Sequence, residues 1–324
     1  MRNIMRVYFL LLLLPFSCAA AELPGILPFV DEMVAKHEFR KDELMQVFER
    51  AQHVPAVIDA ISLPATIKPW TEYRANFINE NRITAGLKFW QLHQQTLQRA
   101  EWEFGVPQEI IVAVIGVETL YGRHLGRFSA LNALTTLAFD YPPREAFFRS
   151  ELENYLVLAR EQDWDIYQIK SSYAGALGIP QFMPSSYLNH AEDYDNDNLT
   201  DLIDSPVDAI GSVGNYLKRY GWKKGGPVAT PAIVNAPVGA SAPAEARNLT
   251  AWVEMGVIPA ESIAADETAL LLAFTVSAGK EHWLTFDNFK VIRLYNHSNF
   301  YSMAVYQLAE KLRKGRETLH REEK

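Results

Sequence analysis

The stretch EIIVAVIGVETLYGRHLG, residues 109–126, constrains this chain more than any other. From Ile110 to Val117 it offers no polar side chain, and a helix that is apolar all round lies inside a domain. Pro107 suits the start of such a helix, and Gly122 suits a left-handed stop after Tyr121. Glu118 then falls in the last turn, where the helix dipole opposes a negative charge. Glu is almost never fully buried without a partner. Burial and position together raise its pKa and keep a proton available near neutral pH, which is how a general acid is made. The plainer use of Glu118 is an ion pair with Arg123, or a reach to solvent at the helix end.

Apolar spacing predicts a mainly α (α+β) chain. Two short helices are expected between Pro28 and Gln52, followed by a partly irregular PWTEYRANF. A long amphipathic helix is expected over ENRITAGLKFWQLHQQTLQRAEWEFG, closed by Gly105. REAFFRSELENYLVLAREQ and PVDAIGSVGNYLKRYGW read as further helices. After Trp222 the composition turns to Pro, Gly and Ala, and the short runs ALLLAFTV, EHWLTF and FKVIRLY read as strands. Helix returns at YSMAVYQLAEKLRKG, with a frayed charged tail.

At the N-terminus a basic MRNIMR, an apolar VYFLLLLLPF and the small residues of SCAAAE form a secretory signal peptide, too short to span a membrane. Cleavage after Ala21 leaves a soluble chain without cysteine, the reading favoured here. The alternative is lipidation at Cys18, where Ser17 fits a lipoprotein signal and Pro15 does not, and which would bring outer-membrane association. Either way no thiol chemistry is expected in the catalytic domain. A net charge of −8 gives no basic footprint, so nucleic acid is not an expected partner.

A second segment, SSYAGALGIPQFMPSSY at 171–187, cannot form one regular helix. Its glycines permit close backbone approach, and its aromatic rings and amides suit a sugar; on composition alone the plainer reading is a turn-rich connector with satisfied amides. GVETLYG, GALGIPQFMPSSY, the acidic loop DYDNDNLTDLID and RLYNHSNFYSMAV, in this order, resemble the signature of the membrane-bound lytic murein transglycosylase B family. The likeness runs from about Trp70 to the end of the last helix.

The resemblance implies a lysozyme-like helical core with a helical flanking domain and a small β-rich subdomain. The expected boundaries are signal peptide 1–21, N-terminal helical domain 22–103, core 104–222 plus 291–318, and β-rich subdomain 223–290. It implies non-hydrolytic cleavage of the MurNAc-(β1,4)-GlcNAc bond of peptidoglycan, leaving 1,6-anhydro-MurNAc ends. Glu118 is the expected single catalytic residue, first acid and then base, unlike glycosidases that use two carboxylates. Ser172, Gln181, Tyr295, Asn296, Tyr301, Tyr216 and Tyr73 fall on substrate-binding positions of the family. Phe147 departs from the pattern, standing where a sugar-facing tyrosine is expected. No cofactor is expected for the chemistry. The expected partners are peptidoglycan glycan strands, with cell-wall synthesis or division proteins as candidate associates, in the periplasm of a Gram-negative bacterium.

The acidic loop places carboxylates at EF-hand-like positions, with Asn198 where Gly is usual. Expected ligands for a structural Ca2+ (or Na+) are Asp193, Asp195, Asp197 and the Leu199 carbonyl. Asp204 is the EF-hand closing position, and Asp208 is the one the resemblance implies. Ser205 and Asp208 also read as a capping pair for the next helix, and the plainer reading of the whole segment is a solvated acidic loop. A non-catalytic binding module and a lysozyme-type hydrolase remain as rival readings. The presence of Glu118 argues against the first. The second would leave product ends one water heavier. A serine hydrolase has no G-x-S-x-G elbow to support it.

Overall fold

A computed structural model describes residues 24–63, 68–235 and 245–322. The expected signal peptide and Cys18 lie outside the described residues. The chain opens with helices α1 (Ile26–His37), α2 (Lys41–Arg50), α3 (Pro55–Ser62) and α4 (Trp70–Phe77). PWTEYRANF is therefore helical rather than irregular: Pro69 precedes the first turn and Trp70 anchors it in the interior. The long helix expected next is two, α5 (Glu80–Leu92) and α6 (Gln94–Phe104), bent at His93. The bend lets α5 pack on the buried helix α7 (Gln108–Thr119) while α6 reaches a later helix, Pro206–Arg219.

After α7 come β1 (Phe128–Ser129), α8 (Ala130–Asp140), a 3-10 turn at Pro142–Arg144 and α9 (Glu145–Glu161). Next are β2 (Lys170–Ser171), α10 (Pro184–His190) and α11 (Pro206–Arg219). Most of the buried apolar residues from α1 to α11 form one cluster with the last helix, and α7 runs through it. The first helices are fastened to α8 by Phe29 against Phe139, ring centres 5.7 Å apart, and by Val54 N donating to Thr136 Oγ1 at 2.9 Å.

The β-rich segment contains β3 (Ala229–Val234), β4 (Arg247–Asn248), α12 (Leu249–Glu254), β5 (Val257–Pro259), β6 (Thr268–Val276) and β7 (Gly279–Thr285). The five strands pair antiparallel in the order β4-β6-β7-β3-β5. Alternation along β6 sends Ala269 and Leu271 to one face, around fully buried Trp252, and Leu272 and Phe274 to the other. Phe274 lies 4.8 Å from Trp70, and Trp70 Nε1 donates to Glu281 Oε1 at 2.7 Å, so the sheet is fastened to α4.

FKVIRLY, read as a strand from its β-branched residues, lies in helix α13 (Asp287–Tyr295). Phe289 and Ile292 are buried three residues apart, and Asn288, also buried, holds Lys223 N and the Lys223 and Gly226 carbonyls. The last helix, α14 (Asn299–Glu322), continues through the charged tail instead of fraying, and packs along α7. Among the described residues no helix is long and apolar enough to cross a membrane.

Candidate active site

Helix α7 stops two residues earlier than its sequence suggests. Leu120 (φ 52°), Tyr121 (φ 61°) and Gly122 (φ 82°) are consecutively left-handed, a costly conformation for the first two. Thr119 holds the turn: its Oγ1 accepts from Gly122 N at 2.9 Å and donates to the Ile179 carbonyl at 2.8 Å. Tyr121 folds back so that its hydroxyl donates to Arg82 O at 3.1 Å. That fit requires two glycines, because a Cβ would lie 2.3 Å from Tyr121 Oη at Gly86 and 2.5 Å at Gly116. Glu118 is thereby fixed at the end of the last helical turn.

The Glu118 carboxyl lines a cleft of about 600 Å³. Burial pushes its pKa up to about 7, and the hydrogen bond from Tyr301 Oη to Oε1, at 2.6 Å, acts in the opposite direction. Tyr301 comes from α14, so the packing of α14 on α7 makes this contact. Its phenol is held well above 10 by burial and by the neighbouring carboxylate.

The other walls come from three places. Ser172, Tyr173, Ala176, Gln181 and Met183 lie on the segment between β2 and α10, Tyr216 and Tyr220 on or just after α11, and Tyr295 and Asn296 at the end of α13. Their polar atoms are unequally free. Ser172 Oγ accepts from Ala174 N (3.2 Å) and Ala176 N (3.1 Å), which leaves its hydroxyl hydrogen to donate. Gln181 Nε2 donates to the Leu125 and Gly178 carbonyls at 3.2 and 2.9 Å, leaving its carbonyl oxygen as the acceptor. Tyr216 donates to Leu294 O and Tyr295 to Pro180 O, so these two present rings rather than hydroxyls, with centres 4.8 Å apart.

This arrangement, one proton-bearing carboxyl at the floor of an aromatic and amide-lined cleft, suits glycosidic chemistry. The family model for the transglycosylase SLT domain matches residues 24–310. The chain belongs to the SLT-domain lytic murein transglycosylases. The chain is 39% identical over 300 residues to membrane-bound lytic murein transglycosylase B of Escherichia coli K12, covering 90% of this chain and 83% of that one. The X-ray structure of catenated lytic transglycosylase SltB1 from Pseudomonas aeruginosa superposes with TM-score 0.86 at 42% identity, over 91% of this chain and 99% of that one. The E. coli lytic transglycosylase Slt35 in complex with calcium superposes with TM-score 0.85 at 38% identity, over 91% and 94%. The transglycosylase is thus an enzyme of peptidoglycan degradation with a lysozyme-like fold.

Of the residues singled out from the transglycosylase sequence, Glu118, Ser172, Gln181, Tyr216, Tyr295 and Asn296 line one cleft. Tyr301 lies beneath it, bound to Glu118. Tyr73 does not line it: the ring packs on Trp70, Phe77 and Phe300, and burial, then the Glu118 charge, pushes its phenol up to about 12. Phe147 lines the cleft, with the Arg144 guanidinium 4.2 Å from its ring centre. Sequence reasoning missed Arg144, Glu151 and Tyr220. Glu151 was legible as an acid on an otherwise apolar helical stripe, between Phe148 and Tyr155. Glu118 has no ion pair with Arg123 among the described residues.

In the transglycosylase's acidic loop, Asp193, Asp195 and Asp197 each offer a carboxylate oxygen, all within 4.8 Å of one another. Asn198 is left-handed (φ 73°), the conformation that Gly usually supplies there. Backbone N–H groups of Asp197, Asn198 and Leu199 donate to these carboxylates. The capping pair is half formed: Ser205 Oγ accepts from Asp208 N at 3.2 Å. Asp208 does not reach back. Its buried carboxylate instead accepts from Tyr194 N and Asp201 N, both at 2.8 Å, across the loop. Asp204 is exposed, its N–H donating to Asp201.

Proposed function

We propose that Glu118 alone carries proton transfer in both halves of the transglycosylase reaction. The observation that carries this reading is the partly buried carboxyl held near pKa 7 at the cleft floor. Protonated, it gives its proton to the glycosidic oxygen as the C1–O bond breaks, releasing the GlcNAc side. The substrate's own acetamido group stabilises the charge at C1. The Glu118 carboxylate then takes the C6 hydroxyl proton as that oxygen bonds to C1 of the same MurNAc. This returns the proton to Glu118, consumes no water and leaves a 1,6-anhydro end.

In this reading the Ser172 hydroxyl donates to an acetamido oxygen, and the Gln181 carbonyl and Asn296 hold neighbouring groups. Tyr216 and Tyr295 supply ring faces for the sugars, and Tyr301 tunes Glu118, while Tyr73 packs behind it. The test is Glu118→Gln with mass analysis of digested peptidoglycan. The expected result is a folded variant that binds glycan and releases no anhydro product; substantial anhydro product sinks the mechanism.

The acidic loop fits a hard cation, since every available donor is oxygen. Asp193, Asp195, Asp197 and the Leu199 carbonyl would hold Ca2+ or Na+, with Asp208 or Asp204 near the closing position. The ion would stiffen the loop following α10 and take no part in the chemistry. The calcium complex of Slt35 supports this assignment. The name of the membrane-bound E. coli relative and the apolar leader support a periplasmic enzyme, released by cleavage after Ala21 or anchored at Cys18. We assign 22–103 to a helical flanking domain, 104–222 plus 291–318 to the core and 223–290 to the β-rich subdomain.

A further inference from the structure

The cleft contains a second carboxylate that the proposed chemistry does not use. Glu151, on α9, is 3% exposed and forms part of the cleft wall. Its Oε2 accepts from Ser185 N at 2.9 Å and its Oε1 from Ser185 Oγ at 2.6 Å. Both oxygens are therefore engaged by one residue, which fixes the orientation of the carboxylate toward the start of α10. Burial raises its pKa, and the hydrogen bonds from Ser185 and the charge of Arg144 oppose that rise.

Ser185 stands in the first turn of α10, a helix of seven residues that Pro184 begins without an N–H to donate. The chain entering this helix supplies Gln181, itself left-handed (φ 52°), and Met183 to the cleft, and Ser185 and Ser186 line it too. On its other side α10 is fixed by Tyr187, whose hydroxyl donates to Thr200 O and accepts from Leu202 N. The short helix, too short to hold its own position, is thus held at its start by Glu151, along its side by residues 200–202 and at its end by Asn215 Nδ2, which donates to His190 O at 3.0 Å.

We propose that Glu151 is a positioning residue that holds the 181–186 wall through Ser185, setting substrate binding while leaving the chemical step to Glu118. Losing two hydrogen bonds to a buried carboxylate lets this wall shift, and the loss falls on association with the glycan. The proposal rests on the single-carboxylate reading of Glu118. It accounts for a buried acid beside the reacting centre without making it a partner in a hydrolytic pair.

The test measures kcat and KM on a soluble GlcNAc–MurNAc-peptide oligomer, with product masses and Tm, for the full enzyme and four variants. These are Glu151→Ala, Glu151→Gln, Ser185→Ala and the Glu151→Ala/Ser185→Ala pair. Glu151→Ala should raise KM about ten-fold with kcat within about two-fold of the parent. Glu151→Gln, which keeps an acceptor oxygen, should recover most of that loss. Ser185→Ala should raise KM, and the double variant should cost little beyond Glu151→Ala. All products should keep anhydro ends. A fall in kcat of about a hundred-fold at unchanged KM would overturn the proposal, as would parent-like kinetics. If Glu151→Ala does not fold, Ser185→Ala decides, and an unchanged KM there refutes the link. Glu118→Gln run alongside separates the failures: anhydro product from that variant sinks the acid–base assignment whatever the KM of Glu151→Ala.

Discussion

Replacing Glu118 by Gln is expected to stabilise the folded enzyme, and only at neutral to alkaline pH. Burial holds this carboxyl protonated up to about 7, against an ordinary value of 4.5. Between those values the folded state binds more protons than the unfolded state, so stability falls as pH rises through the window. At about 1.36 kcal/mol for each pH unit of that interval, the loss reaches about 3 kcal/mol by pH 8. The amide of the variant has no charge to desolvate and keeps an oxygen for Tyr301 Oη, which donates to Glu118 at 2.6 Å. Parent and variant should therefore differ least near pH 4, and the variant should gain a Tm advantage on the order of 5 °C by pH 8. Thermal melts followed by circular dichroism from pH 4 to 9 measure the difference. A Tm difference that is flat across this range, or that favours the parent at pH 8, would refute the assignment of a buried, protonated carboxyl.

Tyr301→Phe removes a hydrogen bond that favours the charged form of Glu118, so the carboxyl should titrate about one pH unit higher. In the proposed mechanism the first step needs Glu118 protonated, so the alkaline fall of kcat/KM should move upward from about 7; a fall that stays put or moves to lower pH contradicts this. Calcium should raise the Tm of the parent and not that of Asp193→Ala with Asp197→Ala; a parent indifferent to calcium removes the proposed site. Gly116→Ala should cost about 2 kcal/mol in denaturant unfolding despite better helix propensity, because its Cβ collides with Tyr121. A neutral effect would mean that the turn relaxes freely.

What the chain reveals without coordinates is mostly local. The apolar run before Glu118 identified a buried helix ending in an acid, because burial and helix position are written in consecutive residues. The contact that tunes this acid was not legible, since Tyr301 lies 183 residues further on and reaches it only through the packing of α14 on α7. The resemblance of the motifs named Tyr301 as a substrate residue, while its hydroxyl is committed to Glu118. FKVIRLY was misread because its β-branched residues carry a strand preference that the burial of Phe289 and Ile292 overrides. The bend at His93 was overlooked because the buried face resumes at Leu97 in helical register with Trp90; the signal was the one turn in which His93 and Gln94 stand where apolar residues are due.

The fold-back of Tyr121 carries an implication for how this sequence can change. Its hydroxyl fills the places where side chains at Gly86 and Gly116 would stand. The three positions therefore form one unit, spread across two helices and a turn. A chain that gains a side chain at position 86 must give up the tyrosine at 121, and with it the brace behind the turn that follows Glu118, and must move Leu312 as well. Laboratory evolution toward stability, which favours Gly→Ala in helices, should find these two glycines closed to it unless position 121 changes first.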